Sequence, residues 1–134
     1  MRLHQGRLLD HVHLRVADLE ASRRFYRAAA GALGLSLTLD TEAFFALDEL
    51  FVSAEGPPTA GLHLALQAAD RSAVDRWHAA VVAAGGRDNG PPGERHYHPG
   101  YYAAYALDPD GNNVEAVHHG PARRSAASVV IETP

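Results

Sequence analysis

The sequence predicts an α+β fold of two βαβββ modules, each an open, curved, mixed sheet with a helix on its convex side. Three observations lead there. Residues 11–34 align with residues 63–86 without a gap, at an offset of 52. In both copies a run of period-two alternation gives way to a run with helical spacing. After each helix, short apolar stretches are separated by turn-forming residues. A chain of 134 residues fits one domain at roughly 100–200 residues each. The modules fall at about 8–55 and 61–119, with a tail at 120–134.

The repeat has matched roles, not only matched alanines. His11 pairs with His63, Asp18 with Asp70, Phe25 with Trp77 and Gly34 with Gly86. Each copy opens on a strand. The first sets His11, His13 and Arg15 on one face and Val12, Leu14 and Val16 on the other; the second sets His63, Ala65 and Gln67 opposite Leu62, Leu64 and Leu66. Asp18 and Asp70 then stand as N-caps, whose carboxylates can accept the free N–H groups of a first helical turn. Leu19, Phe25, Ala29 and Leu33 stripe the first helix, and Val74, Trp77, Val81 and Ala84 the second. Gly34 and the pair Gly85 and Gly86 suit left-handed helix ends.

Three apolar stretches follow the first helix, at 35–39, 43–47 and 50–54. After the second helix, the Gly- and Pro-rich residues 87–100 read as loop with one short strand. Residues 101–107 and 113–118 flank Asp108, Pro109, Asp110 and Gly111, a type I turn sequence, and so form a hairpin. Val129, Val130 and Ile131 in the tail suit a strand or a contact with a partner.

Composition excludes several functions. There is no Cys, hence no disulfide, thiolate metal site or cysteine nucleophile. All 12 basic residues are Arg, which removes lysine chemistry. The net charge of −4 and the lack of a basic stripe argue against nucleic-acid binding. No apolar run approaches the ~20 residues of a membrane span, and residues 1–11 lack a signal-peptide core. A soluble cytoplasmic location is expected.

Nine His in a chain without Cys point to a site. A twofold between modules would bring His11 and His63 together on the less apolar sheet faces. If Leu107 pairs with Asn112, Glu115 stands opposite Ala104 and shares that face with Tyr102. A buried unpaired carboxylate on the helix-packing face would cost several kcal/mol, so the concave face is its place. His11, His63 and Glu115 then form a two-His, one-carboxylate set able to hold Fe(II), Mn, Ni or Zn with positions open for substrate. Other readings stand beside this one. The two His could be core residues, and Glu115 would face solvent if the register slipped by one. His96 and His98 read as a lid or surface, and His118 and His119 as a strand end.

The chain resembles the vicinal oxygen chelate superfamily, which includes glyoxalase I, bleomycin and fosfomycin resistance proteins and extradiol dioxygenases. LLDHVHLRV at 8–16 with RRFY at 23–26 is similar to the family's opening strand and helix, and DPDGNNVE at 108–115 to its closing hairpin. HYHPGYY at 96–102 resembles an uncharacterised single-domain branch. The resemblance implies metal ligands at His11, His63 and Glu115. Glyoxalase I has a further carboxylate in the last strand of its first module; here Glu55 falls past that position.

The expected function is a metal-dependent enzyme that binds two neighbouring oxygens of a small molecule at a divalent ion. Glu115 and His13 are the expected proton-moving residues, with Tyr102, Gln67 and Arg15 contacting substrate. The alternative is a metal-free protein that sequesters a drug or metabolite. A cofactor-free monooxygenase on a related scaffold would not need three ligand-type residues. Open sheets need their edges covered, so a homodimer with the cavity between chains is expected.

Overall fold

The computed structural model describes residues 8–126 and 132–134. The first module runs β1 (Val12–Arg15), α1 (Leu19–Ala32), β2 (Leu39–Asp40), β3 (Phe44–Leu47) and β4 (Leu50–Ser53). The second repeats the plan as β5 (His63–Gln67), α2 (Arg71–Ala83), β6 (Arg87–Glu94), β7 (Tyr102–Leu107) and β8 (Asn113–His118). The sheet orders are equivalent, β1-β4-β3-β2 and β5-β8-β7-β6. In each, the first strand lies parallel to the last and the other pairs are antiparallel. The two mixed, open sheets and two helices are the fold the repeat predicts. The tail residues 129–131 lie outside the described residues.

Both helices start as their sequences require. Asp18 Oδ1 accepts from the Ala21 N–H at 3.0 Å and Asp70 Oδ1 from the Ala73 N–H at 2.7 Å. The apolar stripes meet one sheet face each. Leu14, Val52 and Phe45 pack under α1, and Leu66, Val114, Ala116 and Ala104 under α2, around the fully buried Phe25, Tyr26 and Trp77. The helices also pack against one another. Burying those large side chains contributes about 1.5–3 kcal/mol each, so this layer dominates stability.

Two strand expectations change. The stretch 35–39 yields only the two-residue β2, held to α1 by Arg23. That buried guanidinium donates to Asp40 and to the Thr41 carbonyl, and lies 5.3 Å from the centre of the Phe45 ring. Residues 87–94, expected mostly as loop, form the eight-residue β6. Register shifts between Asp88 and Gly93 let Gly and Pro occupy a strand at the sheet edge.

The closing hairpin is shifted by one residue from its expected register. The Gly111 N–H donates to the Asp108 carbonyl at 2.9 Å, which closes the type I turn, but Gly111 itself takes φ +83°. That left-handed residue adds one position to the loop, as in a type I turn followed by a bulge. Leu107 therefore pairs with Asn113, and Tyr105, not Ala104, stands opposite Glu115. Glu115 keeps the open face; Tyr102 moves to the helix face.

Among the described residues no helix is long and apolar enough to cross a membrane.

Candidate functional site

Glu115 sits mid-strand in β8, flanked by Ala65 on β5 and Tyr105 on β7. It is only 2% exposed, yet both carboxylate oxygens have partners. Oε2 lies 2.8 Å from His63 Nε2. Oε1 accepts from the Tyr101 hydroxyl. His63 is on the free edge strand, its side chain 54% exposed, so this pair spans from buried to open surface. The Tyr105 ring lies 6.2 Å from the His63 ring, and Tyr97 packs edge-on to Tyr101 at 4.9 Å.

The Tyr101 and Tyr105 phenols remain protonated. Burial first, then the hydrogen bond and charge of Glu115, hold Tyr101 far above the ordinary tyrosine range. Burial and the same carboxylate push Tyr105 up to about 12. Each is therefore a hydrogen-bond donor at neutral pH.

The turn at 96–100 carries Tyr101 to the carboxylate. The Tyr101 carbonyl accepts from the Arg95 N–H at 2.9 Å, which closes the loop between β6 and β7. His98 and His119 stack with ring centres 5.1 Å apart, and His98 Nε2 lies 2.9 Å from His119 Nδ1. Burial and the neighbouring His98 lower the His119 pKa below its usual value. The sequence left Tyr101, Tyr105 and this His pair out of the site. The alternation 101, 103, 105 could have found both tyrosines once the bulge at Gly111 was recognised. The His98–His119 pair has no comparable sequence signal, since a turn and a strand end 21 residues apart bring it together.

The first module carries the other half of the expected set. His13 Nε2 lies 2.8 Å from Ser53 Oγ, and its ring meets Phe51 edge-on at 4.9 Å. His11 is exposed, with Nδ1 2.6 Å from Asp10 Oδ1. Both His, with Asp48, Glu49, Ala46 and Phe51, line a cavity of about 360 Å³. Arg15 and Gln67 are exposed, and Gln67 accepts from Arg124 of the tail.

Of His11, His63 and Glu115, one chain brings together the last two. Among the described residues no three His, Asp or Glu side chains converge as a metal site. The 2.8 Å pair is close to what a shared ion needs: two donors at about 2.0–2.2 Å from one cation stand about 3.0–3.5 Å apart, so a small opening of the pair would admit it. Tyr102 is not part of this face. Its hydroxyl donates to Asp75 of α2 at 2.7 Å and Arg71 covers its ring at 4.8 Å. The one-residue register shift is the cause.

A repeated βαβββ plan, with a His on the first strand of each copy and a Glu on the last, is now joined by a direct match. Residues 8–116 match the model of the Glyoxalase/Bleomycin resistance protein/Dioxygenase superfamily. The chain belongs to this superfamily. Among solved structures it resembles a glyoxalase/bleomycin resistance protein from Albidiferax ferrireducens, at 34% identity and TM-score 0.70, over 81% of this chain and 97% of that one. A lactoylglutathione lyase from Agrobacterium tumefaciens is 25% identical, with TM-score 0.54, over 85% of this chain and 95% of that one. A glyoxalase-related enzyme from Fulvimarina pelagi shares the fold at 22% identity and TM-score 0.64, over 84% and 88% of the two chains. No curated protein matches the chain.

Proposed function

We propose that this superfamily member is a metal-dependent enzyme acting on a small molecule that offers two neighbouring oxygens. The observation that carries this reading is the His63–Glu115 pair, 2.8 Å apart on an open sheet face. His63 and Glu115 would hold the ion, with His11 of a second copy as the further ligand. The ion, when bound, would act as a Lewis acid on the substrate oxygens. The imidazole and carboxylate donors suit Fe, Mn, Ni or Zn.

The chain's own residues do the rest. Tyr105 lines the substrate side of the pair and offers a protonated phenol. His13, linked to Ser53 at 2.8 Å, moves a proton at Nε2. Arg15 and Gln67 contact substrate at the rim. Because β1 and β5 are both edge strands, a second copy can set one module's open face against the other's and enclose the substrate. The protein acts as a homodimer in the cytoplasm.

A sequestering role is the second reading. One observation favours it: the chain itself satisfies both oxygens of Glu115.

Metal analysis separates the two. Purified protein should carry a stoichiometric divalent ion, and Glu115→Gln should lose it while the metal-free melting temperature barely moves. Equal metal in wild type and variant, or none in wild type, favours sequestration.

A further inference from the structure

We infer that Tyr101 is a positioning residue for Glu115: its phenol holds Oε1 and leaves Oε2 as the single oxygen presented beside His63. The inference rests on the reading of His63 and Glu115 as metal ligands.

The arrangement of the turn supports it. A carboxylate on a β-strand can rotate about its side chain, and an ion approached by both oxygens would be bound differently from one approached by Oε2 alone. Here Oε1 accepts from Tyr101 while Oε2 points to His63 Nε2. Ligating carboxylates that are themselves hydrogen-bonded gain in affinity, and loss of such a partner typically costs 10–100-fold.

Tyr101 does not reach Glu115 by chance of a flexible loop. The stacked His98–His119 pair ties the turn to the residue after β8. Next to it, two glycine backbones meet. A Cβ on Gly120 would stand 3.2 Å from both Gly100 Cα and its carbonyl oxygen, and both residues have left-handed φ, +86° and +87°. A side chain at either position would push the turn away from the strand. The turn is thus held by two contacts, the His98–His119 stack and the Gly100–Gly120 approach, and the Tyr101 phenol extends from it to Glu115.

Co(II) titration of the intact protein, followed by its visible absorption, tests this with three variants. Tyr101→Phe should weaken Co(II) binding by about 10–100-fold and alter the absorption, because the freed carboxylate can engage with both oxygens. Gly120→Ala should shift both quantities in the same direction without removing any phenol. Tyr102→Phe is the control. It deletes a neighbouring phenol that bonds Asp75 on the helix face, so Co(II) affinity and spectrum should match wild type. If Tyr101→Phe binds Co(II) like wild type with the same spectrum, the positioning role is wrong and the ligand pair stands. If Tyr102→Phe weakens binding as much as Tyr101→Phe, the effect is one of general destabilisation and the inference also falls. Wild type that takes up no Co(II) overturns the metal reading itself, and this inference with it.

Discussion

The Tyr26 hydroxyl of α1 donates to Asp108 Oδ2 at 2.8 Å, joining the first module's helix to the second module's hairpin turn. The turn makes further contacts of this kind. Asp110 accepts from the Ala17 N–H at 3.2 Å, just before the α1 cap. Asn112 accepts from the Leu62 N–H at 3.0 Å and donates to the Thr59 carbonyl at 3.0 Å, fixing the crossing between modules. Asp108 and Asn112 are both almost fully buried. The DPDGNN segment is thus a joint between the copies, and the residues that resemble a family signature act structurally up to Glu115.

Tyr26→Phe should destabilise the fold by about 1–3 kcal/mol, since it leaves a buried carboxylate short of a donor. Asp108 keeps the Asp110 and Asn112 N–H groups on Oδ1, but Oδ2 loses the Tyr26 donor. Urea unfolding should show a lower midpoint with unchanged slope, because no additional surface is exposed on unfolding. A midpoint equal to wild type would mean that the joint does not depend on this bond.

What the sequence made legible follows from how far each signal reaches. Asp18 and Asp70 cap helices through contacts three residues away, and period-two alternation places side chains on either face of a strand. Those are local rules, and the modules followed from them. The register of β7 on β8 depends on whether Gly111 counts as turn or bulge, and a single residue moved Tyr102 off the open face and Tyr105 onto it. The edge strand β6 was obscured by its Gly and Pro residues, which an edge with register shifts can tolerate. The meeting of His63 and Glu115 was readable because the repeat and the hairpin each pointed to one of them. His11 was readable as a residue type but not as a neighbour, because the chain places it on the other module.

Stability should fall as pH drops below the ordinary histidine range. Burial and His98 depress the folded pKa of His119, with His118 and Arg124 adding to the effect and Glu115 opposing it. The unfolded chain therefore takes a proton at about 6.5 that the folded chain resists. The contribution is fully present above that value and is lost as pH falls through the folded pKa. Melting temperatures from about pH 8 down to about pH 5 should show this decline, and His119→Gln should flatten it. An unchanged slope in the variant would assign the decline to other groups.

The proposed sharing of the site between two copies makes a prediction that neither single variant can. His11→Ala and Glu115→Gln should each abolish tight metal binding when pure. In a twofold dimer whose sites join His11 of one copy to His63 and Glu115 of the other, mixed subunits behave differently. One site of the mixed dimer combines both defects, while the other combines His11 from the Glu115→Gln subunit with the intact pair from the His11→Ala subunit. Unfolding and refolding the two variants together should therefore restore metal binding that neither recovers alone. Differently tagged subunits allow the mixed dimer to be isolated, and it should carry one ion. Sites built within one chain would give no recovery, since every subunit would hold a broken set. Recovery in the mixed dimer would also fix the assembly as one in which the open face of one module meets the opposite module of its partner. That outcome accounts for an exposed His11 and a buried Glu115 in the same chain.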